Sequence, residues 1–293
     1  MNDAAQRLRE FAPAREFFVG IDSDGCVFDT MEIKHKECFS PMFIKHFGLQ
    51  AASKFAREAW EFVNLYSRTR GINRYPALSN ALNLLAEREE VRARGVVVPS
   101  SDELDAWMAR EPRHSLAALK AEVQQRGNQE LAPTLEWSLA VDHQIEDIVH
   151  GIPPFPGVRD CLERLRGAAD AMVISQTPGP ALEREWAEHD LQSLVALIAG
   201  QEMGTKKDHL RLATQGKYHP TKVLMIGDAP SDFTAAKSNN ALFYPIVPGR
   251  EDASWSRLLT EGFDAFFSGA FAGDYEADLL REFQACLPER PSW

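Results

Sequence analysis

Asp22 and Asp24 stand one residue apart at the end of the apolar run Phe17-Phe18-Val19-Gly20-Ile21, and Gly25 follows them. Side chains alternate along a strand, so two acids spaced this way leave its end on the same side. One such carboxylate can attack a phosphorus atom while the other handles protons, and a divalent cation can hold the first carboxylate and a phosphate together. Gly25 lets the backbone turn close to a ligand. Three further apolar runs end on complementary groups. Ala171-Met172-Val173-Ile174 delivers Ser175, a hydroxyl donor suited to a phosphate oxygen. Gln201 to Thr205 leads into Lys206 and Lys207 at an expected helix start, where an ammonium offsets phosphate charge. The helical register of His209, Leu210 and Ala213 favours Lys206 over Lys207. Val223-Leu224-Met225-Ile226 runs into Gly227-Asp228, with Asp232 shortly after, a second acidic pair. Together these are the groups a metal-assisted phosphoryl transfer requires.

Elements must bring the four runs together. From about residue 153, helix and strand alternate: a crossover helix over 159–166, the Ser175 strand, a helix near 180–190, a strand over 194–198, the helix opened by Lys206, the Asp228 strand, a helix near 232–239 and a strand over 242–247. That order predicts an α/β fold, a parallel sheet with helices on both faces, whose ligand site lies beyond the carboxyl ends of its strands. The segment 31–152 reads instead as helical almost throughout, save for a short candidate strand at Val96-Val97-Val98. Phe55, Ala59, Phe62 and Tyr66 recur at helical spacing, as do Leu78, Leu82 and Leu85, and Leu135, Leu139, Ile145 and Ile148. Ser100 to Glu103 has the spacing of a capping box. The expected organisation is a core domain from residues 1–30 and 153–293, with an all-helical domain, 31–152, inserted after the first strand.

The ordered quartet of motifs resembles the haloacid dehalogenase superfamily of hydrolases, in its helical-cap branch. The resemblance covers residues 17–29 and roughly 150–250: Asp22-x-Asp24-Gly25 with Asp29, then Ser175, then Lys206, then Gly227-Asp228 with Asp232. It implies a Rossmann-like core with a cap that closes over the catalytic carboxylates, and a Mg2+ ion held by Asp22, the backbone carbonyl of Asp24 and Asp228. Asp22 would be the nucleophile that forms an aspartyl-phosphate, and Asp24 the acid for the leaving alkoxide and then the base for water. An acid at position 24 argues against halide release, which needs no proton. It also argues against phosphonate hydrolysis through a cap lysine, for which Lys34, Lys36 and Lys45 are the candidates. Asp29 fits a loop-stabilising role as well as ligand contact, and Asp232 fits the orientation of its loop and a neighbouring lysine better than metal binding through water.

The remaining sequence narrows the class. The chain has 293 residues and a net charge of −11, with no basic run, which argues against a nucleic-acid partner. No stretch approaches the roughly 20 apolar residues of a membrane span. The N-terminus lacks the pattern of a secretion signal, and Cys26, Cys38, Cys161 and Cys286 lack metal-ligand spacing, so a cytoplasmic location with reduced thiols is expected. Cys26, inside the first motif, is the thiol open to oxidation. Arg68, Arg70 and Arg74, with Asn64 and Asn73 around Gly71, form the most polar patch of the insert and suit an anionic or polyhydroxylated substrate. The expectation is a Mg2+-dependent phosphatase of a small phosphorylated metabolite, acting as a monomer or homodimer. A phosphomutase of the same superfamily and a non-catalytic phosphate-binding or sensing protein are the alternatives.

Overall fold

A computed structural model describes residues 3–293. It holds one parallel five-stranded sheet: β1 (Phe17–Ile21), β2 (Ala169–Ile174), β3 (Leu197–Ala199), β4 (Val223–Gly227) and β5 (Leu242–Pro245), in the order β3-β2-β1-β4-β5. The strands are apolar throughout because both faces of the sheet are covered. Val19, Ile21, Ala171, Val173, Leu224 and Ile226 pack into one apolar cluster, while Phe18, Met172, Ile174, Val223 and Met225 pack into another. The alternation of side chains therefore feeds two cores rather than one core and solvent. Gly20 sits where a Cβ would lie 2.6 Å from Ile174 Cδ1, so a side chain in the middle of β1 would push the second core apart.

Helices Val158–Ala168, Gly179–Glu188, Lys206–Thr214 and Pro230–Ser238 connect the strands in sequence. The chain moves outward from β1 through β2 to β3 and then returns to place β4 on the other side of β1. The order thus reverses between β1 and β4, and Asp22 and Asp228 follow these two strands. Such a reversal opens a crevice beyond the carboxyl ends of the strands, the position where open α/β sheets bind ligands.

The chain divides into two compact units, one running up to Thr30 and again over Gly151–Pro288, the other over Met31–His150 with Glu289–Trp293. The second unit is helical, without a strand among its described residues, and its own core is built on Phe43, Trp60, Tyr75, Trp107 and Trp137. Leu78, Leu82 and Leu85 all lie in it. The last residues belong to the same unit: Trp293 meets the Phe62 ring at 5.5 Å, and the Arg88 guanidinium lies 4.5 Å from the Trp293 ring centroid.

Several local expectations need correction. Val96-Val97-Val98 is not a strand; Val97 is 87% exposed and no neighbouring strand offers partners. The helix expected to start with a Ser100–Glu103 box begins at Asp102, where Ser100 Oγ accepts from the Asp102 amide (3.1 Å) and the Ser101 hydroxyl donates to Asp105 (2.7 Å). Leu139 leaves the buried stripe of helix Ala132–Ile148 and is 45% exposed, while Trp137, Ser138 and Val141 take the inward face. Tyr66 lies beyond the end of helix Ser53–Asn64 and is 40% exposed. The strand expected from residue 194 starts at Leu197, after a 3-10 turn over Gln192–Leu194.

Candidate active site

β1 carries Asp22 one residue past its end, still tied to β4 by the Asp22 amide donating to the Ile226 carbonyl (3.0 Å). The loop that follows is pinned from several sides. The Ser23 carbonyl accepts from the amides of Cys26, Val27 and Phe28, Trp186 Nε1 donates to Ser23 Oγ (3.0 Å), and Trp255 Nε1 donates to the Cys26 carbonyl (2.8 Å). Gly25 adopts φ +73°, which a Cβ would oppose, and its amide closes the loop onto the Phe28 carbonyl (2.8 Å). Cys26 is fully buried here, and burial pushes its thiol well up. A thiol without access to solvent or to its thiolate form resists oxidation, contrary to expectation.

β4 ends on Gly227, and Asp228 follows, 1% exposed. Helix Pro230–Ser238 then brings Asp232 back over Gly227, where it accepts from the Ala229 amide (3.1 Å). A Cβ on Gly227 would stand 2.4 Å from the Asp232 Cγ, so only glycine leaves room for this acid.

Lys206 reaches the same place from the start of helix Lys206–Thr214. A reciprocal pair of bonds between Thr205 and Asp208 fixes that start, Thr205 Oγ1 accepting from the Asp208 amide and Asp208 Oδ2 from the Thr205 amide, each at 3.2 Å. Lys206 Nζ donates to Asp22 Oδ2 (2.7 Å) and to Asp232 Oδ1 (2.6 Å), whereas Lys207 is exposed.

Asp22, Asp228 and Asp232 thus converge, each offering a carboxylate oxygen within 4.8 Å of the others, all three buried. Burial first, and then the neighbouring Asp232, hold Asp22 well above the usual carboxylate range despite the opposing pull of Lys206. Burial also raises Asp232, with Lys206 pulling it down and Asp228 pushing it up. Lys206 shows the opposite balance: burial works against its charge, but Asp22 and Asp232 outweigh it and hold the ammonium above its ordinary value. Three buried carboxylates against one ammonium leave an excess of negative charge that a hard cation with oxygen ligands would neutralise, and the donor set suits such an ion.

Asp24 lies beside this cluster, held by two hydroxyls. Thr30 Oγ1 donates to Asp24 Oδ1, and Thr177 Oγ1 to Asp24 Oδ2 (2.6 Å). Ser175 follows β2, 2% exposed, and its Oγ accepts from the Thr177 amide (3.1 Å). Asp29 sits exposed at the far end of the loop. Sequence reasoning missed Thr30 and Thr177. A hydroxyl six residues after Asp24 and another two after Ser175 follow no strand or helix period, so only the path of the two loops brings them to the carboxylate.

The arginine patch lies in the helical unit, and each member has partners there. Arg68 pairs with Glu289 and keeps 57% of its side chain exposed. Arg70 is buried and donates to the Leu65 carbonyl (2.9 Å). Arg74 donates to Asp142 (2.7 Å) and Ser138 (3.0 Å) and lies over the Phe39 ring.

Among solved structures, the chain is similar to a protein from Bacteroides fragilis described as a haloacid dehalogenase-like hydrolase, with 16% identity, a TM-score of 0.50, and coverage of 82% of this chain and 93% of that one. A protein from Bacteroides vulgatus described as a beta-phosphoglucomutase matches at 14% identity and TM-score 0.47, over 93% and 100% of the two chains. A predicted phosphoglycolate phosphatase from Haemophilus somnus 129pt matches at 13% and 0.47, over 79% and 86%. At 16% identity the likeness to the Bacteroides fragilis protein concerns the fold alone. A search of curated protein sequences returns no significant match. The model of the family of haloacid dehalogenase-like hydrolases matches residues 72–244, more than half of the chain, a span that contains Ser175, Lys206, Asp228 and Asp232 and begins beyond Asp22. The chain therefore belongs to the haloacid dehalogenase-like hydrolases.

Proposed function

We propose that this hydrolase is a Mg2+-dependent phosphatase of a small phosphorylated metabolite, working through an aspartyl-phosphate on Asp22. The observation that carries the reading is Lys206, which bridges Asp22 and Asp232 inside a buried group of three carboxylates. Asp22 and Asp228, with the backbone carbonyl of Asp24, would hold the ion, and Asp232 is near enough to serve it directly or through water. When bound, the cation offsets the repulsion between an attacking carboxylate and a phosphate dianion.

The residues supply the rest. An oxygen of Asp22 bonds to phosphorus while the bond to the ester oxygen breaks, its electron pair staying on that oxygen, which takes a proton from Asp24. Water then attacks the same phosphorus, gives its proton to Asp24, and displaces the Asp22 carboxylate. Lys206 and the Ser175 hydroxyl stabilise charge on the non-bridging oxygens. Arg68, Arg70 and Arg74 are the candidates for a charged part of the substrate remote from phosphorus. Arg68 is foremost, because an exposed ion pair such as Arg68–Glu289 holds its partner weakly. Four free cysteines are consistent with a reducing, cytoplasmic setting, and no helix among the described residues is long and apolar enough to cross a membrane.

A panel of phosphorylated metabolites, assayed with Mg2+ and with chelator, tests the proposal. Mg2+-dependent phosphate release from at least one compound is expected; isomerisation of a sugar phosphate without release would assign a phosphomutase instead, and inertness towards every ester would leave a binding protein.

A further inference from the structure

We propose that Thr177 is a positioning residue that couples the orientation of the proton-transferring carboxyl of Asp24 to the loop carrying Ser175. The inference rests on the phosphatase reading above and adds to it a residue that none of the four motifs contains. Two hydrogen bonds on the same residue carry it. The Thr177 amide donates to Ser175 Oγ (3.1 Å), and the Thr177 hydroxyl donates to Asp24 Oδ2 (2.6 Å). The first occupies a lone pair of the serine oxygen and leaves its proton to point at a phosphate oxygen. The second fixes one oxygen of Asp24, and the Thr30 hydroxyl fixes the other. With both oxygens held, the two side-chain torsions of Asp24 are set, and the carboxyl no longer has to be ordered in the transition state. A threonine hydroxyl can donate to a carboxylate and accept from a carboxylic acid, so the contact survives both protonation states that the two half-reactions require. The turn itself is fastened: Gln176 Nε2 donates to the Gly204 carbonyl (3.0 Å), beside the start of the Lys206 helix.

A residue that orients the acid acts on leaving-group protonation and on water activation, not on the attack by Asp22. Its removal should therefore be felt more by a poor leaving group than by a good one. The test compares Thr177→Val and Thr177→Ser with the parent on phenyl phosphate and p-nitrophenyl phosphate in Mg2+, two esters of nearly the same shape whose leaving groups differ in their need for a proton. In Thr177→Val, kcat/KM for phenyl phosphate is expected to fall about tenfold further than kcat/KM for p-nitrophenyl phosphate, a part of the roughly 10²- to 10⁴-fold that a general acid contributes, because Asp24 itself remains. kcat should fall for both esters, because release of phosphate from Asp22 needs the same carboxyl, and Thr177→Ser should restore the parent ratio. Equal losses in kcat/KM for the two esters would show that Thr177 only shapes the loop, and parental constants in Thr177→Val would show that it does nothing; either result overturns the proposal. Thermal unfolding of each variant reports any loss of fold; where Thr177→Val does not fold, Thr177→Ala is compared with Thr177→Ser by the same ratio, and equal ratios overturn the proposal. A parent inactive on both esters would instead remove the phosphatase reading on which the inference stands.

Discussion

Asp22 is the residue on which the reading turns, and its surroundings make two separable claims. As the nucleophile it cannot be replaced by an amide, so Asp22→Asn should lower turnover by at least about 10³-fold, measured on whichever ester the parent hydrolyses. As a buried acid whose folded pKa lies above its unfolded one, it favours the folded state only while protonated, and that contribution is lost as pH rises through the folded value. At neutral pH, without divalent cation, Asp22→Asn should then unfold at a temperature no lower than the parent. A clear drop in melting temperature would mean that the Lys206 contact outweighs burial. Added Mg2+ should reverse the ranking, since an ion at 100 times its dissociation constant stabilises by about 2.7 kcal/mol, and Asp228→Asn should lose most of that gain. Equal Mg2+ shifts in the parent and in Asp228→Asn would place the ion elsewhere.

At the scale of elements, the site is a consequence of strand ends, which is why so much of it is legible in sequence. Asp22, Ser175 and Asp228 each follow a continuous apolar run, and such runs mark strands buried on both faces. Lys206 is legible for a similar reason, since the helical register of His209, Leu210 and Ala213 places it at the start of its helix. What escaped depends on loop paths and tertiary packing: Thr30 and Thr177 meet Asp24 through non-periodic backbone, and the lone valines 96–98 read as a strand because local propensity carries no information about whether a partner strand is adjacent. Two predictions belong here. Gly227→Ala would drive a methyl group into Asp232, which should cost about 1–3 kcal/mol in denaturant unfolding and reduce activity by displacing the partner of Lys206. Unchanged stability would show that the Pro230–Ser238 helix shifts freely. Arg74→Ala removes bonds to Asp142 and Ser138 and the stack on Phe39, and should destabilise the helical unit by about 1–2 kcal/mol. A parental melting curve for that variant would leave the arginine free for substrate.

Over the whole molecule, acid sensitivity also draws on a buried group that the chemistry does not use. His209, 0% exposed beneath the loop before Lys206, is lowered by burial to a pKa of about 4. Its unfolded value is near 6.5, so between these two values the unfolded chain binds a proton that the folded chain refuses, and stability falls as pH drops through that window, by roughly 3 kcal/mol once pH is below both. Melting temperatures from pH 7.5 down to pH 4 should decline in the parent and decline less in His209→Asn; parallel curves would assign the acid sensitivity to other groups. Transfer of the phosphoryl group to Asp22 is read out by acid-quenching a reacting mixture of enzyme, Mg2+ and a labelled phosphate ester and mapping the label by peptide mass. One phosphoryl group is expected on the peptide containing Asp22, transient in the parent and accumulating in Asp24→Asn if release is slowed more than formation. Turnover with no label on the chain, or with the label on a different residue, would contradict transfer to Asp22.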